Sequence, residues 1–258
     1  RGYDGVNYSN YLQTDLFTVD VDAPTAPGGL SLLTVEPTMV TLGYPTVTSS
    51  DANFAGYEIR YSTTTPVSRS SAQHVDVNTS DASFFGATTT TVSGLDINEE
   101  YFFEIFAVDS FENYSSSTFA TSTYTAVMPV PSTTIAAVSS TALSYTLETA
   151  QNPSSTEYAI YNDTDAMYID SFGMPTSTAV YQVSSSWSGI YVEGLTPNEQ
   201  YQISVYNRNG DGSNVNSTAG NLVYTLANTP GQLTLSALSD TSLSFTIDEN
   251  GNNASTTY

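Results

Sequence analysis

The sequence predicts an all-β fold made of similar β-sandwiches arranged end to end. Three observations predict it. The chain repeats itself at a spacing of 100 residues: Gly94-Leu95 and Tyr101 return as Gly194-Leu195 and Tyr201, and Leu143 returns as Leu243. That period is too long for a solenoid repeat of about 20–50 residues and suits one sandwich domain of about 100. Apolar residues alternate with polar ones over strand-length runs, and no amphipathic helix of three turns can be drawn.

The strand runs are specific. In Tyr101-Phe102-Phe103-Glu104-Ile105-Phe106-Ala107-Val108, the residues Tyr101, Phe103, Ile105 and Ala107 fall on one face. Tyr201, Ile203 and Val205 do the same in the next repeat. Tyr57-Glu58-Ile59-Arg60-Tyr61 and Tyr158-Ala159-Ile160-Tyr161 follow the same pattern. Thr, Tyr, Val and Ile fill these runs and suit a pleated, half-buried surface.

Proline punctuates the repeats at Pro24 and Pro27, at Pro129 and Pro131, and at Pro230. It lacks a ladder donor and fixes φ, so it marks strand edges and short, stiff connections. The expected organisation is a domain tail over residues 1–22, whole domains over 23–127 and 128–227, and the opening of another over 228–258. The chain begins at Arg1 and stops inside a repeat, so it is expected to be a piece of a longer protein.

Composition narrows the function. Charged residues are 12% of the 258, about half the usual share of roughly 25%. Polarity comes from 36 Ser and 38 Thr. There is no Lys, and four Arg face 26 acids, for a net charge of −22. Such a surface repels phosphate, which argues against nucleic acid and against anionic membranes. No Cys is present, so disulfides, thiolate metal sites and a Cys nucleophile are excluded. No run of about 18 apolar residues occurs, so no membrane span is expected in this segment.

Candidate chemistry is sparse. His74 is the only histidine and has no nucleophile or orienting partner nearby in sequence. Glu99 and Glu100 are adjacent, so in a strand they point apart, and the second repeat keeps only Glu199. They read as a solvated turn and not as an acid–base pair. Asn207-Arg208-Asn209-Gly210-Asp211-Gly212 begins like a calcium loop, but Thr218 stands where the closing bidentate Glu is due. A glycine-rich hairpin is the simpler reading. Asp20 and Asp22 at the first junction, with Asp109, form a candidate calcium group of hard oxygen ligands. The later junctions, 125–131 and 227–230, carry no acids, so calcium is not a repeated device. Trp187 is a candidate sugar platform or a core residue, and core packing is the commoner role of a lone strand Trp. Asn-x-Ser/Thr triplets begin at Asn7, Asn78, Asn113, Asn162, Asn216 and Asn253, a number near chance in so Asn-, Ser- and Thr-rich a chain.

The motif Gly-Leu, polar turn, Tyr resembles fibronectin type III domains, at Gly94-Leu95 to Tyr101 and Gly194-Leu195 to Tyr201. The resemblance implies a tyrosine corner at Tyr101 and Tyr201, with Leu95 and Leu195 in the core. It places Tyr44, Tyr145 and Phe245 where the family's second strand usually holds a core Trp. Asn7-Tyr8-Ser9 and Asn113-Tyr114-Ser115 are similar to the loop before the last strand in members of large bacterial cell-surface proteins. The implied role is non-catalytic and structural: a stalk, fibre or surface-layer segment outside the cell. Its partners would be copies of itself or other cell-surface proteins. An adhesin gripping protein or glycan through loops or Tyr-rich strands is the first alternative. Accessory domains of a secreted carbohydrate-active enzyme are the second. No cofactor is expected.

Overall fold

The computed structural model describes residues 3–7, 19–44, 53–67, 69, 73–77, 89–131, 133–213 and 215–258. They are almost entirely strand and turn. The first sandwich pairs a three-stranded sheet with a four-stranded one. Its first sheet orders β1 (Ser31–Val35), β2 (Met39–Gly43) and β5 (Thr89–Ser93) side by side. The second orders β4 (Gln73–Val77), β3 (Phe54–Ser62), β6 (Glu100–Asp109) and β7 (Thr118–Tyr124). All pairings are antiparallel.

The predicted alternation is what fills the space between the sheets. Tyr101, Phe103, Ile105 and Ala107 of β6 meet Tyr57, Ile59 and Tyr61 of β3 and Val40 and Leu42 of β2 in one buried cluster, with Tyr44 and Leu95 at its margins. Burial pushes the Tyr44 hydroxyl pKa up, helped by the nearby Tyr57.

The second sandwich keeps this plan and changes its edges. β8 (Thr134–Ala137) pairs β9 (Leu143–Thr146). The facing sheet runs β12 (Pro175–Thr176), β11 (Met167–Ile169), β10 (Glu157–Asn162), β14 (Gln200–Arg208), β15 (Val215–Tyr224), with β13 (Gln182–Val183) also on β10. The counterpart of β5 shrinks to one bridge, Leu143 to Val192, after a 3-10 turn at Ser184–Trp187. Trp187 lies on that turn, 2% exposed, with its indole N–H donated to the Tyr158 carbonyl at 2.8 Å. It packs in the core and offers no stacking face.

Tyrosine corners close both sandwiches. The Tyr101 hydroxyl accepts from the Asp96 amide at 3.1 Å, and Tyr201 from the Thr196 amide at 2.9 Å. Leu95, Leu195, Tyr101 and Tyr201 are all buried.

A third unit contributes one hairpin, β16 (Leu233–Ser239) with β17 (Ser242–Ile247). Phe245 is a correction to the expected core: it is 66% exposed. Its counterpart Tyr145 is half-buried against a core whose other wall is β10 and β14. Within this chain the hairpin has no facing sheet. Register corrects a second detail. Val40 pairs Val92 as Leu143 bridges Val192, so the position matching Tyr145 is Leu42, and Tyr44 lies one inward step further on.

Candidate functional site

The described residues hold no cluster of His, Asp or Glu able to bind a metal. A second set of residues that recurs with the period, beside the core ones, gathers at the junctions between sandwiches. The two junctions that follow the whole sandwiches are each built from the same three bonded devices, 100 residues apart.

The first device ties the linker to the sandwich before it. The Thr125 hydroxyl donates to the Asp96 carbonyl at 2.6 Å and accepts the Glu99 amide at 3.1 Å. Thr225 does the same with Thr196 and Glu199, at 2.6 and 3.1 Å. Both threonines are buried.

The second ties the linker to the sandwich after it. The Asn152 side chain accepts the Met128 amide and donates to the Met128 carbonyl, both at 2.8 Å. Asn252 holds Asn228 in the same two-point way, at 2.6 and 2.9 Å. A side-chain amide carries one donor and one acceptor side by side, so it can imitate a strand neighbour for a single linker residue. Only residues 126–127 and 226–227 lie between the two clamps.

The third device joins the sandwiches directly. Asn98 and Asn198 occupy the left-handed region, with φ of 54° and 52°. Asn tolerates that region better than other residues with a Cβ. This conformation belongs to the tyrosine-corner turn. The Asn98 amide group donates to the Thr156 hydroxyl at 3.0 Å, and its carbonyl oxygen accepts the Gly210 amide at 2.7 Å. Asn198 donates to Thr256 at 2.7 Å. Gly210 is also a packing requirement, because a Cβ there would collide with the ring of Tyr124 from the first sandwich.

Two of the first junction's three candidate acids are already used. Asp20 accepts from the Asn53 side chain at 2.6 Å and from the Asp22 amide at 3.1 Å. The Asp109 carboxylate accepts the Phe111 and Asn113 amides at 2.9 and 2.8 Å, and the Asn113 side chain at 2.8 Å. That side chain also donates to the Asp20 carbonyl at 2.9 Å. Asp20 and Asp109 are therefore joined through Asn113, which supplies the donors. Burial alone would raise the Asp109 pKa, but the bonds from Asn113 and Phe111 outweigh it and hold the carboxyl below its ordinary value.

The other sequence candidates stand apart from the junctions or in another role. His74 lies opposite Arg60 in the β3–β4 register. Glu99 and Glu100 differ in place: the Glu99 backbone is bound to Thr125, and Glu100 starts β6. Asn207 and Arg208 end β14, and 209–212 turn toward β15, where Gly210 meets the preceding sandwich. Tyr8, Ser9 and Asn78 lie outside the described residues. The sequence reading missed Asn98, Asn152, Thr156 and Gly210. The first three were findable, because Asn198, Asn252 and Thr256 repeat them at the period.

No helix among the described residues is long and apolar enough to cross a membrane. The sequence model of the fibronectin type III domain matches residues 24–122. No curated protein gives a significant sequence match. Among solved structures, a two-domain fibronectin type III segment of chicken tenascin is similar over 79% of this chain and all of its own length, with a TM-score of 0.51 and 16% identity. The fibronectin domain of human contactin 1 covers 46% of this chain and 92% of its own, with a TM-score of 0.34 and 18% identity. By the architecture, the domain model and the tenascin likeness together, this chain has the fold of tandem fibronectin type III domains.

Proposed function

We propose that this segment is a strut: a non-catalytic structural stretch of a cell-surface protein outside the cell, whose junctions hold successive sandwiches in one fixed relation. The carrying observation is the Asn-to-Thr bond across the junction, present at both Asn98–Thr156 and Asn198–Thr256. Joined only by a free linker, domains would need no such bond. With it, and with Thr and Asn clamps on each side, the same step is imposed at each junction and the string is stiff. The working boundaries are residues 23–127 and 128–227 for the whole domains, each linker straddling one of them. Residues 1–22 belong to a preceding domain and 228–258 to a following one. Large bacterial surface proteins provide the setting that best suits an acidic, Cys-free, Ser- and Thr-rich repeat.

The test is interdomain order in solution. Residual dipolar couplings from the first and second sandwiches should fit one alignment tensor. Gly210→Val, which drives a side chain into Tyr124, should split them into two while each sandwich stays folded. Two independent tensors in the unaltered chain would refute the strut.

A further inference from the structure

The two whole sandwiches differ at one edge, and the difference leaves a slot. In the first, β2 is covered along its whole length by β5, five residues paired one for one from Met39–Ser93 to Gly43–Thr89. In the second, β9 meets its counterpart only at Leu143, whose amide and carbonyl both bond Val192 at 2.9 Å. The chain before Val192 turns away into the 3-10 turn, and the Ile190 amide is spent on the Trp187 carbonyl at 3.3 Å. Beside β9 this leaves a groove of about 440 Å³ between residues 144–149 and 184–191.

The backbone facing that groove is set for pairing. On the other side of β9, Tyr145 lies opposite Ile135. The Ile135 amide and carbonyl are both turned away, to the Asn221 side chain at 3.0 and 3.4 Å. In an antiparallel ladder alternate residues direct their polar groups to opposite sides. Leu143 uses the groove side, so Tyr145 directs its N–H and C=O there too, where the first sandwich has Thr90 opposite Leu42.

We propose that this groove is a strand-accepting site for an extended, uncharged, Ser- and Thr-rich peptide segment that completes the sheet on β9. The first sandwich shows what chemistry fits. Its own occupant of the slot is Thr89-Thr90-Thr91-Val92-Ser93, of which only Val92 is buried. The second sandwich supplies that apolar anchor itself, as Val192. The occupant therefore needs main-chain bonds and small hydroxyl side chains, of the kind that meet at 3.1 Å between Thr41 and Thr91. The groove is lined in part by Ser144, Thr146, Ser185 and Ser188 and in part by Leu147, Ile190 and the half-exposed Tyr191, and has no charged lining residue. The chain's charge of −22 repels acidic segments, and the groove lining holds no carboxylate to pair a basic one, which leaves neutral ones. Addition of a strand to a sheet edge draws affinity from main-chain bonds, and an uncovered edge is otherwise a liability.

The test uses the whole chain, nitrogen-15 labelled, and a capped peptide of the sequence Thr88-Thr89-Thr90-Thr91, which ends short of the place Val192 already fills. Amide shifts should move at residues 143–147 and 188–192. With peptide at ten times its dissociation constant, exchange of the Tyr145 amide should slow about tenfold. The same peptide with Pro in place of Thr90 should lose the effect, since Pro removes the central donor. Ser188→Arg, at an exposed rim position, should abolish it with the melting temperature unchanged. Absence of any change at Tyr145 with millimolar peptide would overturn the proposal. So would shifts centred on β16 and β17. Protection of Tyr145 that rises with protein concentration alone would assign the slot to a second copy and likewise overturn it.

Discussion

The side-chain amide of Asn98 donates to the Thr156 hydroxyl at 3.0 Å across the junction between the two whole sandwiches, and Asn98 is held at φ 54° to do so. Partner and donor are 58 residues apart, as are Asn198 and Thr256 at the next junction. Replacement by Gly separates the two roles, because Gly accepts positive φ without strain and has no side chain to donate. Asn98→Gly should leave the first sandwich's melting temperature within a few degrees of the original, since a neutral hydrogen bond is worth about 1 kcal/mol. Interdomain order should fall. Small-angle scattering of the Asn98→Gly, Asn198→Gly double variant should show a broader distance distribution at large spacings. An unaltered distribution would remove Asn98 from the junction's working parts.

Junctions as stiff as proposed would also fix the size of the chain in solution. A 258-residue globule would have a radius of gyration of about 18 Å. Sandwiches strung end to end should exceed this clearly. A value near that of the globule would mean that the sandwiches fold back on one another.

Tyr201 tests the corner that positions Asn198. Its hydroxyl accepts the Thr196 amide at 2.9 Å, and Tyr101 does the same for Asp96. Tyr201→Phe keeps the ring in the core and strands the amide. The cost should be on the order of 1–3 kcal/mol to the second sandwich. Chemical denaturation should show it as a lower midpoint with an unchanged slope.

Asp109 gives the acid limb of stability a residue-level origin. Its folded pKa lies below the ordinary value of 3.8 because of the bonds from Asn113 and Phe111. A depressed carboxyl contributes stability that is fully present above the unfolded pKa. That contribution is lost as pH falls through the folded value. Carboxyl titration by NMR should give Asp109 a midpoint below 3.8. Asp109→Asn should flatten the loss of stability of the first sandwich in that acid window, because an amide oxygen still accepts both backbone amides but no longer titrates.

The same bonds bear on calcium. With Asp20 and Asp109 already accepting from Asn53, Asn113 and backbone amides, a cation would compete with those donors for the same oxygens. Melting with millimolar calcium and with chelator should agree within about 2 °C, less than the shift expected from 1 kcal/mol of linkage in a domain of this size. A rise of many degrees would show a calcium-stiffened junction.

Much of this fold could be read from the sequence, for a physical reason. Period-2 alternation and a repeated Gly-Leu to Tyr spacing are local signals, and they place Tyr101, Phe103, Ile203 and Val205 inward without knowledge of any partner. Register is not local. Tyr44 and Tyr145 look equivalent in sequence, yet pairing with Val92 and Val192 sets them one inward step apart. The truncated counterpart of β5 was equally hidden, because the run 184–188 carries the small polar residues that strands and turns share. The junction residues were partly visible: Asn98 and Asn198 lie inside the repeated motif, but their role depends on Thr156 and Thr256, 58 residues away.

The hairpin of β16 and β17 leads to the last prediction. Leu235 lies opposite Phe245 and Ala237 opposite Leu243, so these side chains share one face. Leu235, Leu243 and Phe245 are 61–66% exposed. In the second sandwich the matching residues Ile135, Leu143 and Tyr145 are in the core or against it. Burying such side chains is worth about 1.5–3 kcal/mol each, so residues 1–258 taken by themselves favour association through this face, which in the following domain proposed above would be core. The charge of −22 on every copy opposes it. Raising salt shortens the screening length from about 30 Å at 0.01 M to about 3 Å at 1 M and weakens only the repulsion. Sedimentation of this chain should therefore show association that strengthens with salt. Leu243→Ser combined with Phe245→Ser should keep it monomeric throughout, with both whole sandwiches melting as before. A monomer at high concentration in every salt, or association that the double variant leaves intact, would rule out this face as the contact.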